Sequence, residues 1–482
     1  MSMTLSPFDD LISHVRGGLQ ITDHSGKIQP GGIFVAVPGP VRDGADFIPQ
    51  ADLAGAGFIV TRNDAPWPDG MHAQRIVHPD PAQALGELAA VANGTDNMAM
   101  RVTGVTGTNG KTSICYLLEH LFSSNTAKAG ILGTIDYRWP GFRLEANLTT
   151  PGCLQLHELL GNMNKASVDV AFMEVSSHAI DQKRIAGISY DAAVLTNITQ
   201  DHLDYHGDME SYFQTKAKLF TELLKFPQNA CINYNDPFGQ RLLTKLDQAL
   251  AYGLDDVPHG IRRALRGRII DIDDTGITMV VDYEGKTWEI RSPMAGRHNA
   301  QNLLAAQAVG LSLGLSPNQM AVFNHFHGAP GRLERIANDK GKTVFVDYAH
   351  TPDALVNVCR SLRELPYDRL IVVFGCGGDR DKTKRPRMGE AVCQYADVAV
   401  VTSDNPRHED PQAIIDDIRP GLGGCTRVME QVDRKKAIIT ALDMMHDNDV
   451  LLIAGKGHET YQQIGDTKHH FNDAEIVWEH LA

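Results

Sequence analysis

The stretch AMRVTGVTGTNGKTSICYLLEHLFSS, residues 99–124, constrains the fold more than any other. AMRVTGV reads as a β-strand, and Lys111 to Ser123 as a helix with Ile114, Leu117, Leu118 and Leu121 on one face. A strand that passes through a glycine turn directly into such a helix belongs to an α/β sheet. The backbone N–H groups of Thr108 to Lys111 lie at the positive end of that helix, where an anion is stabilised. Lys111 adds a point charge for outer phosphates, and Thr112 adds a hydroxyl suited to Mg²⁺. The common phosphate loop has a glycine five residues before Gly110, and that position is Val105. The stretch therefore predicts a variant phosphate loop made of Gly107, Thr108, Asn109, Gly110, Lys111, Thr112 and Ser113. A glycine turn with an incidental lysine is the alternative, and the agreement of strand, turn and helix disfavours it.

A chain of 482 residues is too long for one core and implies two to four domains. Its formal charge of -14 argues against nucleic-acid binding, which needs a basic face. The seven cysteines show no Cys-x-x-Cys pair, so reduced thiols in a cytoplasmic protein are expected. The opening MSMTLSPFDDLISH carries acids and no long apolar core, unlike a signal peptide. No window reaches ~18 consecutive apolar residues, so no membrane span is expected.

Three regions separate by pattern. Residues 1–97 hold short apolar strands (GIFVAVP, GFIVT) among Gly, Pro and Asp turns. Residues 98–328 alternate strands such as DVAFMEV and DAAVLTN with helices, and carry an antiparallel insert between Arg268 and Ile290. Residues 329–482 repeat strand–helix units through TVFVDY, RLIVVFG, DVAVVTS and DVLLIAG, which implies a parallel sheet. The fold class is thus α/β in three domains: a small N-terminal domain, a central phosphate-loop domain and a C-terminal Rossmann-like domain.

TGTNGKTS resembles the ATP loop of the Mur ligases, the amide-bond-forming enzymes of peptidoglycan precursor synthesis. The resemblance runs through MEVSSH, TNITQDHLDYHG, GRHNAQN, GRLE, VDYAHTPD, GCGGDRDKTKRP, SDNPR and AGKGHE, over essentially the whole chain. It implies a two-step reaction in which a substrate carboxylate takes the γ-phosphate of ATP and an amine then displaces phosphate. The site of such chemistry needs cations and few competing anions.

The resemblance implies a role for each matching position. Glu174, at a strand end, would hold a Mg²⁺ facing Thr112. His202, and not its neighbour His206, would ligate a second magnesium. Lys216 would be the lysine that carbon dioxide converts to N6-carboxylysine, while Lys218 is its solvated neighbour. Partial burial suits the carbamylation, since it lowers an amine's pKa and leaves a neutral nucleophile. Asn299 and Asn302 would meet the adenine, although Asn299 also suits a helix N-cap. Arg332 would contact phosphate and Asp347 the ribose hydroxyls. Because those two belong to a different domain from the loop, the resemblance implies closure around ATP, which protects an acyl phosphate from water.

For the nucleotide substrate, UDP-N-acetylmuramoyl-L-alanyl-D-glutamate, the matching positions are Ser25, Thr149, Thr150, Ser176, Gln182 and Arg184. The family's Asp-Ser-Arg turn reads His24-Ser25-Gly26 here. For the added amino acid they are Arg380, Asp404, Asn405, Pro406, Arg407, Gly455 and Glu459. Members that add meso-diaminopimelate carry DNPR, and lysine-adding relatives usually lack the arginine. A guanidinium can grip the distal carboxylate that distinguishes diaminopimelate from lysine. The rivals are a lysine-adding relative, the relative that adds D-Ala-D-Ala, and a folylpolyglutamate synthase, none of which has reason to carry DNPR. A phosphate-loop switch would need a base-recognition motif such as Asn-Lys-x-Asp, and the sequence has none. A monomer is expected.

Overall fold

The structure, a computed structural model, describes residues 6–39, 42–273 and 275–482. Residues 1–5 of the acidic opening stretch, and position 274 in the insert's first turn, lie outside them. The chain divides into two compact units. The first comprises Met1–Tyr252, Pro258–Ala264 and Ala305–Ser316; the second comprises Gly253–Val257, Leu265–Leu304 and Pro317–Ala482.

In the first unit, the N-terminal region forms a four-stranded parallel sheet from Ile21–Thr22, Ile33–Val35, Phe58–Thr61 and Gln74–Val77, in that order. Its helix Pro81–Asn93 starts on Asp80, whose carboxylate accepts from Gln83 N–H, and ends on Gly94 with φ +67°. That region is tied to the central one by the Thr95 hydroxyl, 2.5 Å from His157 Nδ1, while His157 Nε2 meets the Ala186 carbonyl.

The central sheet of the first unit places Arg101–Thr106 between Ala192–Leu195 and Val170–Glu174, all parallel. Ala230–Asn233 and Leu250–Leu254 extend it on one side. Ala129–Leu132 extends the other side and is followed by the antiparallel strands Asp136–Trp139 and Phe142–Glu145. The inner strands are buried along their length, as a sheet covered on both faces requires. Ligands collect at the carboxyl ends of such strands.

In the second unit, the expected insert is present as Ala264–Ile272, Ile277–Tyr283 and Lys286–Ser292, paired antiparallel. The C-terminal region forms a six-stranded sheet in the order Glu334–Arg335, Thr343–Asp347, Val450–Ala454, Leu370–Phe374, Val398–Thr402 and Val428–Gln431. All of its pairings are parallel except the first. A separate hairpin, Tyr461–Ile464 with Thr467–His470, follows the Val450–Ala454 strand.

The expectation of seven reduced cysteines needs correction. Cys393, at the end of helix Lys384–Cys393, is disulfide-bonded to Cys425 across 32 residues, with Cα atoms 4.4 Å apart. Spacing along the chain gives no sign of this, because the approach comes from packing the helix against the turn Arg419–Gly424. The other five cysteines are free and buried. No helix among the described residues is long and apolar enough to cross a membrane.

Candidate active site

The phosphate loop follows strand Arg101–Thr106 and opens helix Lys111–Ser124, as its sequence predicts. Val105 lies inside the strand and is fully buried, so the turn proper begins at Gly107. Gly107 has φ +144°, and a Cβ there would lie 1.8 Å from Thr196 Oγ1, so no other residue fits. Thr108 N–H donates to the Asn197 carbonyl (2.8 Å) and Asn109 N–H to Asn197 Oδ1 (3.0 Å). The expected anion cradle of Thr108 to Lys111 is therefore corrected. Its first two amides donate to Asn197 instead.

Two lysines converge on one carbonyl. Lys111 Nζ donates to the oxygens of Gly107 (2.9 Å) and Thr108 (2.8 Å), and Lys216 Nζ donates to the same Gly107 oxygen at 3.0 Å. Lys216 is 1% exposed, whereas Lys218 faces solvent. Burial first, and then the neighbouring Lys111 charge, push the Lys216 amine well below the ordinary lysine range. A neutral, nucleophilic amine is the state that carbamylation needs.

Glu174 ends its strand 1% exposed, yet it is fully engaged. Its Oε1 accepts from the Thr112 hydroxyl (2.9 Å) and Thr134 N–H (2.8 Å), and its Oε2 from the Thr134 hydroxyl (3.1 Å). Thr149 Oγ1 is 3.1 Å from Thr134 Oγ1, and Thr150 donates to the Glu174 carbonyl at 2.8 Å. Ser176 N–H donates to Thr150 Oγ1 at 3.1 Å. Arg184 bonds Gln182 Oε1 through Nε (3.0 Å) and Nη2 (2.6 Å), with Nη1 3.5 Å from the Thr150 carbonyl. A chain of hydrogen bonds thus links Thr149, Thr150, Ser176, Gln182 and Arg184 to the end of the Glu174 strand, while Thr112 bonds the carboxylate itself.

His202 adopts φ +52°, a conformation uncommon for a non-glycine residue, and its Nε2 lies 3.4 Å from Asp201. Burial lowers its pKa, favouring the neutral imidazole that ligates metal. His206 is instead held by the Ser177 hydroxyl at 2.9 Å. Among the described residues no three His, Cys, Asp or Glu side chains converge as a metal cage. Glu174 with the Thr112 hydroxyl nevertheless fits Mg²⁺, which takes one or two carboxylates and completes its shell with water and phosphate oxygens.

In the N-terminal sheet, Ser25 is buried and donates to Gln50 Oε1 at 2.9 Å. His24 Nδ1 accepts from Gly26 N–H at 3.1 Å, the turn-capping part an aspartate would play.

The second unit carries its own cluster. Helix Arg297–Ser312 begins before Asn299, which is buried and donates to the Ala295 carbonyl (2.8 Å) while accepting from Asn302 (3.0 Å). Asn299 is therefore not the helix N-cap, a role that sequence alone left open. Asp347 accepts from Leu333 N–H (2.6 Å) and Ala349 N–H (2.7 Å), and burial raises its pKa. The Arg332 guanidinium lies 4.9 Å over the Tyr348 ring.

Arg407 has φ +50°, and its backbone is clamped by the hairpin: its N–H donates to the Gln463 carbonyl (3.1 Å), and Gly465 N–H donates back to it (2.7 Å). A non-glycine residue held there costs of order 1–3 kcal/mol. Arg380 is exposed and donates to the Asp379 carbonyl. Asn405 donates to Glu459 Oε2 at 2.8 Å. Gly455 has φ +115°, and a Cβ there would sit 2.6 Å from Asp404 Oδ2. The sequence-predicted residues Asp404, Asn405, Gly455 and Glu459 thus form one nest.

Two family profiles match separate stretches of the chain. The profile described as Mur ligase middle domain matches residues 105–310, and that described as Mur ligase, glutamate ligase domain matches residues 331–457. The chain is 48% identical over 453 residues to the UDP-N-acetylmuramoyl-L-alanyl-D-glutamate--2,6-diaminopimelate ligase of Lawsonia intracellularis, covering 94% of each. The chain belongs to the Mur ligase family.

This Mur ligase is also 42% identical to the Gloeobacter violaceus protein of the same name, over 96% of this chain and 93% of that one. A solved structure named as UDP-N-acetylmuramoyl-L-alanyl-D-glutamate--2,6-diaminopimelate ligase superposes with TM-score 0.69 at 33% identity, covering 95% and 93%. The sequence of this Mur ligase did not single out Thr134, Thr196, Asn197 or Lys456, which hold the predicted residues in place. Asn197 follows the buried strand Ala192–Leu195, at the end where ligands collect, and that position was the available signal. Thr134, in a short loop between strands, carried none.

Proposed function

We propose that this protein is an ATP-dependent ligase joining meso-diaminopimelate to UDP-N-acetylmuramoyl-L-alanyl-D-glutamate in peptidoglycan precursor synthesis. It works in the cytoplasm as a monomer. Residues 1–97 take the uridine end of the substrate through Ser25, residues 98–328 take ATP, and residues 329–482 take the amino acid. The observation that carries this reading is Arg407, a half-buried residue held at positive φ in the same loop as Asp404 and Asn405, the latter bonded to Glu459.

Arg184, with Gln182, Thr149, Thr150 and Ser176, orients the substrate carboxylate toward the γ-phosphate. Lys111 and the first-turn amides of the helix stabilise the charge that gathers on the phosphoryl oxygens. Thr112 and Glu174 are suited to hold one Mg²⁺, and His202 with carbamylated Lys216 a second. These ions, when bound, offset the negative charge on the phosphates. Asn299, Asn302, Arg332 and Asp347 take the adenine, phosphate and ribose of ATP. Arg407 grips the distal carboxylate of diaminopimelate, Glu459 its distal ammonium, and Arg380, Asp404 and Gly455 complete that pocket. The other amine then attacks the acyl phosphate and phosphate leaves.

Lysine would leave the guanidinium unpaired, at a cost of ~1–3 kcal/mol or more. A folylpolyglutamate synthase or the relative that adds D-Ala-D-Ala has no reason to carry the DNPR motif. The test is ATP-dependent phosphate release by the purified enzyme with the muramoyl dipeptide nucleotide and a panel of amino acids. Turnover is expected with meso-diaminopimelate, and equal turnover with L-lysine would overturn the reading.

A further inference from the structure

Lys456 is fully buried, and its ammonium has two polar partners on different segments. Nζ donates to Asn405 Oδ1 at 3.1 Å and to Glu459 Oε2 at 2.9 Å. Asn405 Nδ2 donates to that same Glu459 oxygen at 2.8 Å, and Asn405 Oδ1 also accepts Gln463 N–H at 2.9 Å. Lysine, asparagine and glutamate therefore close a triangle that joins the DNPR loop to the AGKGHE turn. The Glu459 side chain retains 17% exposure, while that of Lys456 has none. The lysine thus cannot reach a ligand itself and acts on whatever Glu459 and Asn405 present.

Two physical consequences follow. Both hydrogen bonds to Glu459 fall on Oε2, so one carboxylate oxygen is anchored and Oε1 is aimed. Without the ammonium, Glu459 would keep one neutral partner and a largely desolvated negative charge, which is costly. A second buried cation lies behind the same nest. Arg434 pairs with Asp473 at 2.7 Å, donates to the Ala454 carbonyl at 3.0 Å, and leaves Nη1 with no hydrogen-bond partner.

From this triangle we propose that Lys456 is the positioning residue for recognition of the second ammonium of the diamino acid, acting through Glu459 and Asn405. The inference rests on the reading that Glu459 meets that ammonium. Lysine at position 456 sets the rotamer and the net charge of the group that distinguishes a diamino acid from an amino acid with a distal carboxylate alone.

The test compares meso-diaminopimelate with L-2-aminopimelate, which keeps the distal carboxylate and lacks the second amine. Wild-type turnover with diaminopimelate is measured first, since its absence would sink the functional reading and not this one. Lys456→Met is expected to lower kcat/KM for diaminopimelate at least 10-fold, mainly through KM. It should change the apparent affinity for aminopimelate less than 3-fold and leave the KM for ATP within 2-fold. Lys456→Gln, which keeps a polar head in the buried position, serves if the methionine variant does not fold, with the same expectation. Lys456→Arg should restore most of the preference by restoring the charge. An equal fall for both amino acids would show a purely structural lysine, and an unchanged ratio in the charge-removing variants would equally overturn the proposal.

Discussion

Arg407 donates Nη1–H to the carbonyl oxygen of Gly378 at 2.8 Å, joining the DNPR loop to the glycine-rich GCGGDRD loop. Around that bond, His408 Nδ1 meets Asp379 at 2.8 Å, and buried Arg385 pairs with Glu409 and Asp417, each at 2.8 Å. The guanidinium is therefore presented by a braced scaffold, and one further Nη group with Nε can still turn to a ligand.

Replacing Arg407 by alanine should accordingly cost recognition and leave ATP alone. Arg407→Ala is expected to lower kcat/KM for meso-diaminopimelate about 100-fold or more, the scale of losing a paired carboxylate contact. The KM for ATP should stay within 2-fold. Steady-state kinetics in both substrates checks this, and equal losses would mean a folding defect.

Thr134 supplies two of the three hydrogen bonds on the Glu174 carboxylate. Thr134→Val keeps the backbone donor and the shape but removes the hydroxyl. A drop in kcat of about 10-fold is expected from a misaligned carboxylate. Thr134→Ser should recover most of it, and the unfolding midpoint of the valine variant should move little.

His298 is half-buried with Nδ1 3.0 Å from Ser361 Oγ, and desolvation pulls its pKa down from 6.5 to about 4. The folded protein thus holds this proton less tightly than the unfolded chain. The His298 contribution is complete above pH 6.5 and is lost as pH falls toward 4, up to about 3 kcal/mol. Unfolding free energy measured across that window should fall less in His298→Gln than in the wild type.

Opening the Cys393–Cys425 disulfide releases a loop of 32 residues. The loop-closure model puts the cost at about 3–4 kcal/mol. Thermal unfolding with and without dithiothreitol should show a lower Tm under reduction. Cys393→Ser should match the reduced wild type and ignore the reductant.

Strands with long apolar runs, such as Val170–Glu174 and Leu370–Phe374, were legible because both of their faces are buried. Val428–Gln431 was missed: it is a short edge strand, half exposed, without a periodic signal. Glu174, Lys216 and Arg407 were singled out from motifs, and the first two are buried while the third sits at positive φ. The supporting shell was hidden, because Thr134, Asn197 and Lys456 matter through contacts made far along the chain. The Cys393–Cys425 pair was hidden for the same reason.

The two Asn197 hydrogen bonds to the phosphate loop, with the Thr196 hydroxyl on the Asn109 carbonyl at 2.6 Å, carry one more consequence. Fixing a free backbone residue costs about 1–2 kcal/mol in lost entropy. Here that ordering of Thr108 and Asn109 is completed as the chain folds. Nucleotide affinity is not taxed for shaping the turn, and most of the anion's attraction to the helix end is available to hold it.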